Sequence, residues 1–485
     1  MKRLSDLQPS KVWKYFEEVC SIPRPSGFEE RIADYLVEFA RSRGLDYMRD
    51  DADNVLIRKS WSGEGGGSRP PLALQAHVDM VPEKREGVEH DFLRDPIIPV
   101  IDGDWVTAPD TTLGADNGMG VAVMLAILDS RDLAHPFLEC IFTTDEERGL
   151  TGAAALDPGR ITAKRMINLD SEDLGEFIIG CAGGMDVVLR SRVGFRGEGP
   201  CGMLRVSGLR GGHSGMEIGS NRANAVRLAA RALDGLLALG CSLAGIDGGG
   251  KRNAIPRDAR ARVMIPEGVE KEAIRFLEEL ETRLKEEYEG IEDSIGIGME
   301  DDVEQARLME PGEARRIVDL LLGLPHGVEK MSGTIEGLVE TSDNLAIVTT
   351  DGDTVEIHLS VRSPFESARE ALARRVAAVG RLGGCDISSG NSYPGWIPNV
   401  DSPLLRRMKI IYERTFGTPP EVKSIHAGLE CGLIGNIVGG LDMISVGPDI
   451  RDVHVPGEKV RISSVREFWR FIVRVLSDLD GDFPE

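Results

Sequence analysis

The sequence predicts an α/β protein interrupted by an inserted α+β domain, and three observations carry that expectation. From about residue 54 to 180, strand-like apolar runs alternate with helix-like stretches, the order of a layered α/β sheet. From about 185 the texture changes to a strand–helix–strand–strand–helix order, typical of a small two-layer α+β unit. From about 386 the first pattern returns. The expected boundaries are 1–184 with 385–485 for the α/β domain, and 185–384 for an inserted lid. A length of 485 residues exceeds the usual single core and fits two domains.

Residues 11–43 show helical spacing twice, interrupted at Pro23-Arg24-Pro25-Ser26-Gly27. Runs at 54–58, 72–76, 138–143 and 165–169 read as strands, and 116–130 and 149–156 as helices. In the insertion, Leu204–Val206 and Arg260–Met264 are strand-like, while 221–238 and 268–288 are helical. The stretch 300–352 shows no simple period; Thr354–Val361 then alternates as a strand and 366–382 follows as a helix. Strands at 422–425 and 442–446 and helices at 401–415 and 463–478 complete the α/β pattern. Gly63–Pro70 is expected to be a surface loop.

Composition narrows the function. With 57 basic against 80 acidic side chains the formal charge is −23, which argues against nucleic acid or an anionic membrane surface as partner. Most of that acidity reads as a well-solvated surface. The seven cysteines are scattered without a CxxC, which favours a cytoplasmic location. Met1–Ser10 is polar and lacks the apolar stretch of a signal peptide. The longest apolar run, Val121–Leu128, is too short to span a bilayer and reads as a buried helix.

Five signatures stand at the ends of strand-like runs or on the turns that follow, where ligands gather in α/β sheets. His77 and Asp79 are two apart, so both project to one face; the imidazole can bind a metal while the carboxylate accepts its other N–H. The same pair also suits an ordinary polar loop. Asp116, between Gly114 and Gly118, reads either as a helix N-cap or as a carboxylate whose two oxygens bridge two cations. Glu146 and Glu147 are adjacent at an apolar strand end, where like charges need a cation or a shared proton. One can ligate while the other takes a proton from water. Of Asp170, Glu172 and Asp173, one is expected to ligate and the others to form a rim. His454 would complete the set.

Competing chemistries find little support. Gly248-Gly249-Gly250-Lys251 lacks the Walker spacing, and no serine sits in a GxSxG elbow. Water activation by metal is what remains.

The runs Gln75–Met80, Leu113–Gly118 and Thr143–Gly152 resemble those of the M20 metallopeptidases. Leu209–Gly215, Arg252–Pro256 and His426–Gly432 make the chain most similar, within that family, to the aminoacyl-histidine dipeptidases. The resemblance spans nearly the whole chain. It implies an α/β/α catalytic domain with a lid of the dimerisation type, and a site for two zinc ions, with cobalt or manganese as alternatives. His77 and Asp170 would hold one ion, Glu147 and His454 the other, with Asp116 bridging them. Glu146 would be the general base, Asp79 would orient His77, and a cis peptide would follow Asp116. His213 would polarise the scissile carbonyl across a homodimer interface. Asn344 and Arg362 would hold the substrate carboxylate, and Gly428 would meet substrate through its backbone. An alanine follows Asn344-Leu345 where relatives often have glycine. The activity implied is hydrolysis of small peptides, Xaa-His dipeptides in particular; tripeptide exopeptidases and N-acyl amino acid deacylases share the same ligands. A binding protein that has lost catalysis would lack a ligand or the base, and none is missing.

Overall fold

The computed structural model describes residues 3–63 and 69–481, so most of the expected Gly63–Pro70 loop lies outside the described residues. The chain divides into two compact units. One comprises Met1–Gly180, Trp396–Ser424 and Leu429–Glu485; the other comprises Cys181–Gly395 and Ile425–Gly428.

The first unit is built on an eight-stranded sheet. Its order is Asp46–Arg49, Val55–Lys59, Leu138–Thr143, Leu72–His77, Arg165–Asn168, Asp442–Ser445, Glu176–Cys181 and Glu421–Ile425. The four strands from Leu138–Thr143 to Asp442–Ser445 run parallel. Such strands are buried on both faces, and Leu72–His77 and Leu138–Thr143 are buried throughout. Helices Ser10–Cys20, Glu30–Ser42, Pro403–Phe416 and Ile462–Asp478 contribute Trp13, Phe16, Leu36, Met408, Phe468 and Phe471 to one apolar core. Helix Ala115–Asp129 is apolar all round and buried from Asn117 to Leu128. Asp116 and Asn117 depart from helical geometry, and the peptide between them is cis, as the resemblance implies.

A separate four-stranded sheet joins Ile450–Arg451, Lys459–Arg461, Trp105–Thr107 and Val100–Asp102. Its first two strands are antiparallel, so the loop 452–458 between them is the tip of a hairpin.

The second unit carries a nine-stranded sheet in which Gly296–Met309, Phe195–Ser207, Ala259–Met264, Ser242–Gly248, Val339–Asp351, Thr354–Ser363, Gly183–Arg192 and Asp386–Tyr393 follow in order, with Gly327–Met331 against Val339–Asp351. Helices Ala225–Ala238, Glu270–Glu287, Pro311–Gly323 and Glu366–Leu382 pack into its core. The sheet is larger than the strand–helix–strand–strand–helix unit expected, because the aperiodic stretch 300–352 contributes three strands and a helix to it. Residues Val339–Ala346 are buried on both faces, which erases the alternation that marks a half-exposed strand. The helix expected over 149–156 is instead two short turns, Glu146–Gly149 and Thr151–Ala155, broken at Leu150 with φ 61°. Among the described residues no helix is long and apolar enough to cross a membrane.

Candidate metal centre

Parallel strands deliver their carboxyl ends to one edge of a sheet, and the first unit places its polar side chains there. His77 is the last residue of its strand, Glu146 and Glu147 follow Leu138–Thr143, and Asp170 follows Arg165–Asn168. Asp116 comes from the non-helical start of the buried helix, and His454 from the hairpin tip.

These side chains form interlocking triads. His77, Asp116 and Asp170 offer ligand atoms within 4.8 Å of one another, as do Asp116, Glu147 and His454, and also His77, Glu146 and Glu147. Asp116 is shared between two imidazoles, one to each oxygen. Oδ1 is 3.1 Å from His77 Nε2, and Oδ2 is 3.1 Å from His454 Nε2. Asp170 Oδ1 lies 3.3 Å from His77 Nε2, and Glu147 Oε1 lies 2.9 Å from His454 Nε2. One carboxylate therefore faces two separate imidazole–carboxylate pairs.

Asp79 sits beneath this arrangement, fully buried. Its Oδ1 lies 3.3 Å from His77 Nδ1. Its oxygens also accept the main-chain N–H groups of Glu146 and Glu147 at 3.1 and 3.3 Å, and the Ser26 hydroxyl at 2.7 Å. The same carboxylate thus aligns an imidazole and the turn bearing the two glutamates.

The electrostatics call for cations. Burial pushes Asp170 up to about 6, and it raises Glu146 well above the usual carboxylate range. Burial also raises Glu147, with the Asp116 carboxylate adding to it. Asp116 is held below its usual range, since His454 and His77 together outweigh its burial. Asp170 Oδ1 and Glu147 Oε1 are buried, and the polar neighbours described for them are the imidazole nitrogens of His77 and His454. Divalent cations with His and carboxylate ligands would use those oxygens and neutralise the crowding. The residues fit a metal pair.

Three further residues support the site without having been singled out from sequence. Arg24, 1% exposed, donates to the carbonyls of Val78, Asp79 and Gly114 at 2.8, 2.9 and 2.6 Å. Gly114 and Gly118 admit it: a Cβ would stand 2.5 or 2.6 Å from Arg24 Nη2. Glu430 is fully buried and accepts from Gln75 and Thr143 at 2.6 and 2.7 Å, and Gln75 in turn accepts from Asn168 at 2.6 Å. Those partners lie on the three strands that lead to His77, Glu146 and Asp170. Glu458 accepts four main-chain N–H groups from Leu113 to Asp116. Only Glu430 fell within a recognisable run, His426–Gly432; an isolated acid or arginine carries no signal when its partners are backbone.

The remaining expected site residues belong to the second unit. His213 Nδ1 accepts the main-chain N–H groups of Gly215 and Met216 at 3.2 and 3.1 Å, so a neutral ring carries its proton on Nε2 and is a donor there. Arg362 donates to the Tyr393 hydroxyl at 3.2 Å, and a Cβ on Gly428 would stand 3.0 Å from the Tyr393 ring. Tyr393 therefore links two positions that sequence reading treated separately. Asn344 is 1% exposed, and its amide donates to Ala254 O at 2.8 Å. Ala254 pairs with His213, so Asn344 braces the strand beside that imidazole.

Two family models match the chain: a peptidase dimerisation domain over residues 204–292 and peptidase family M28 over 57–177. The cytosol non-specific dipeptidase of Escherichia coli (strain K12) is 38% identical, over 99% of each chain. The solved aminoacylhistidine dipeptidase from Vibrio alginolyticus is 39% identical, with 98% of each chain covered and a TM-score of 0.87. An M20 family metallo-carboxypeptidase from Sulfolobus solfataricus, at 16% identity over 96% of this chain and 98% of that one, shares the fold with a TM-score of 0.54. The fold and the relatives that cover the whole chain define a peptidase of the hydrolase class. The chain belongs to the M20 family.

Proposed function

We propose that this chain is a metal-dependent dipeptidase acting on Xaa-His and related dipeptides in the cytoplasm, as a homodimer with two zinc ions per subunit. The observation that carries the reading is the division of Asp116 between His77 and His454, at 3.1 Å each. His77 and Asp170 would hold one ion, Glu147 and His454 the other, and Asp116 would bridge them. When bound, such a pair supplies Lewis acidity and lowers the pKa of water. Zinc suits this mixture of imidazole and carboxylate, though cobalt or manganese could occupy the same ligands.

Glu146 would take the proton of the attacking water and pass it to the leaving amine. Its main-chain N–H donates to Asp79, which would also orient His77 from 3.3 Å away. His213, with Nε2 as donor, would polarise the scissile carbonyl, and Arg362 would receive the substrate carboxylate. Gly428 would offer its backbone to substrate, while Asn344 acts through the strand it braces. The two dipeptidases that cover the whole chain support the substrate class. The dimerisation-domain match supports the homodimer.

The test is a panel of β-alanyl-histidine, ordinary Xaa-His dipeptides, tripeptides and N-acyl amino acids, run with metal analysis on one preparation. Dipeptide turnover with two metal equivalents, abolished by chelator, is expected. Preference for tripeptides or N-acyl amino acids would replace the substrate assignment. Glu146→Ala should lower kcat by about 10²–10⁴ with metal content unchanged; full turnover in that variant removes the base.

A further inference from the structure

We propose that Glu458 is a positioning residue that sets the loops bearing Asp116 and His454 in register for cation binding, an inference that rests on the dinuclear reading above. Glu458 is 2% exposed. Its Oε2 accepts Leu113 N–H and Gly114 N–H at 2.9 Å each. Its Oε1 accepts Ala115 N–H at 2.7 Å and Asp116 N–H at 3.2 Å. Four successive main-chain donors thus converge on one carboxylate, an anion nest whose occupant is a side chain of the same protein. Gly114, at φ 68° and ψ 33°, makes the turn that brings those donors to one side.

The occupant is well chosen for coupling. Glu458 stands just before the strand Lys459–Arg461, at the end of the hairpin tip that presents His454. That tip is itself left-handed at Asp452 (φ 57°) and His454 (φ 62°), so regular pairing does not fix its shape. The loop presenting one imidazole therefore grips the loop presenting the shared carboxylate, and one of the four bonds falls on Asp116 itself. On the opposite side Arg24 holds the Gly114 carbonyl at 2.6 Å.

The consequence is asymmetric. In the triad Asp116–Glu147–His454, two members come from the gripped loops; in His77–Asp116–Asp170, only one does. A glutamine at 458 offers one acceptor oxygen and turns an NH₂ toward two N–H donors. It should loosen the first triad more than the second.

Stepwise cobalt(II) titration of the metal-free protein, followed by visible absorption and calorimetry, tests this. The native chain should take up two ions. Glu458→Gln should bind one with native affinity and the other about 10–100-fold more weakly, as loss of a ligand-orienting contact does, while the far-UV circular dichroism of the metal-free protein stays native. Glu458→Asp, which keeps the charge but is a methylene shorter, should fall between. Two affinities within about threefold of native, or equal weakening of both, overturn the proposal against that 10–100-fold scale. If Glu458→Gln does not fold, Glu458→Asp is read by the same criteria; if neither folds, Glu458 is a residue of the fold alone and the proposal fails. A native chain that takes up a single cobalt removes the dinuclear reading instead, a different outcome.

Discussion

Gln75 donates its side-chain amide to Glu430 Oε2 at 2.6 Å, although the two residues are 355 positions apart. The bond joins strand Leu72–His77 to the first residue of helix Glu430–Val438, and Glu430 Oε1 is buried there, accepting no hydrogen bond among the described residues. Burial pushes the Glu430 carboxyl up to about 8 from its ordinary 4.5. A raised value means that its contribution to stability is complete below pH 4.5 and is lost as pH rises through about 8. Glu430→Gln keeps an acceptor for Gln75 and Thr143 and carries no charge. Denaturant titrations of metal-free protein should therefore show this variant gaining on the native chain as pH rises from 5 toward about 8. Glu430→Ala strands both donors and should lose about 1–3 kcal/mol at any pH in that range.

Asp79 faces four groups at once, so its replacement should be felt as metal affinity rather than as unfolding. In Asp79→Asn the amide NH₂ cannot accept, leaving the Ser26 hydroxyl or a main-chain N–H of Glu146 or Glu147 without its partner. Competition with a chromogenic chelator should show metal held about 10–100-fold more weakly. Native affinity in this variant would remove Asp79 from the metal site's support.

Gly118 makes room for a side chain that cannot step aside, because three carbonyls hold Arg24. A Cβ there would stand 2.6 Å from Arg24 Nη2. Gly118→Ala should cost about 1–3 kcal/mol in guanidinium unfolding. Gly312 is the control: it lies in helix Pro311–Gly323, and a Cβ there meets nothing within 4 Å. Gly312→Ala should be stabilising by about 0.5–1 kcal/mol.

His426 should contribute to the acid limb of the stability profile, as should His326, which burial also pushes down to about 3. Burial, aided by the Arg362 charge, pushes its imidazole down to about 3. A lowered value keeps its contribution to stability complete above 6.5 and removes it as pH falls through about 3. Below pH 6.5 the native chain should lose about 1.4 kcal/mol per pH unit through this group, a slope absent from His426→Gln. Parallel pH profiles would remove the assignment.

Legibility in the sequence followed what each residue contacts. The strand Leu138–Thr143 and the helix Glu366–Leu382 coincide with their periodicity, since a short apolar run and a one-sided stripe each have one good solution. Val339–Asp351 was hidden because burial on both faces leaves no alternation to read. Among the described residues Gly296–Met309 pairs with Phe195–Ser207 alone, and its core residues Ile297 and Met309 stand at its two ends, so no alternation runs between them. His77, Glu146 and Asp170 were legible because polar residues at the ends of apolar strands need a reason. Glu458 and Arg24 were not, because their partners are main-chain groups that every residue possesses.

The split of Asp116 between two imidazoles also ties together the two ends of the first unit's sequence, residues 77 and 454. His77, Asp116 and Asp170 all lie in the first 170 residues, whereas the second triad waits for His454. The first 170 residues thus carry one complete candidate set of three side chains, while the other is complete only with residue 454.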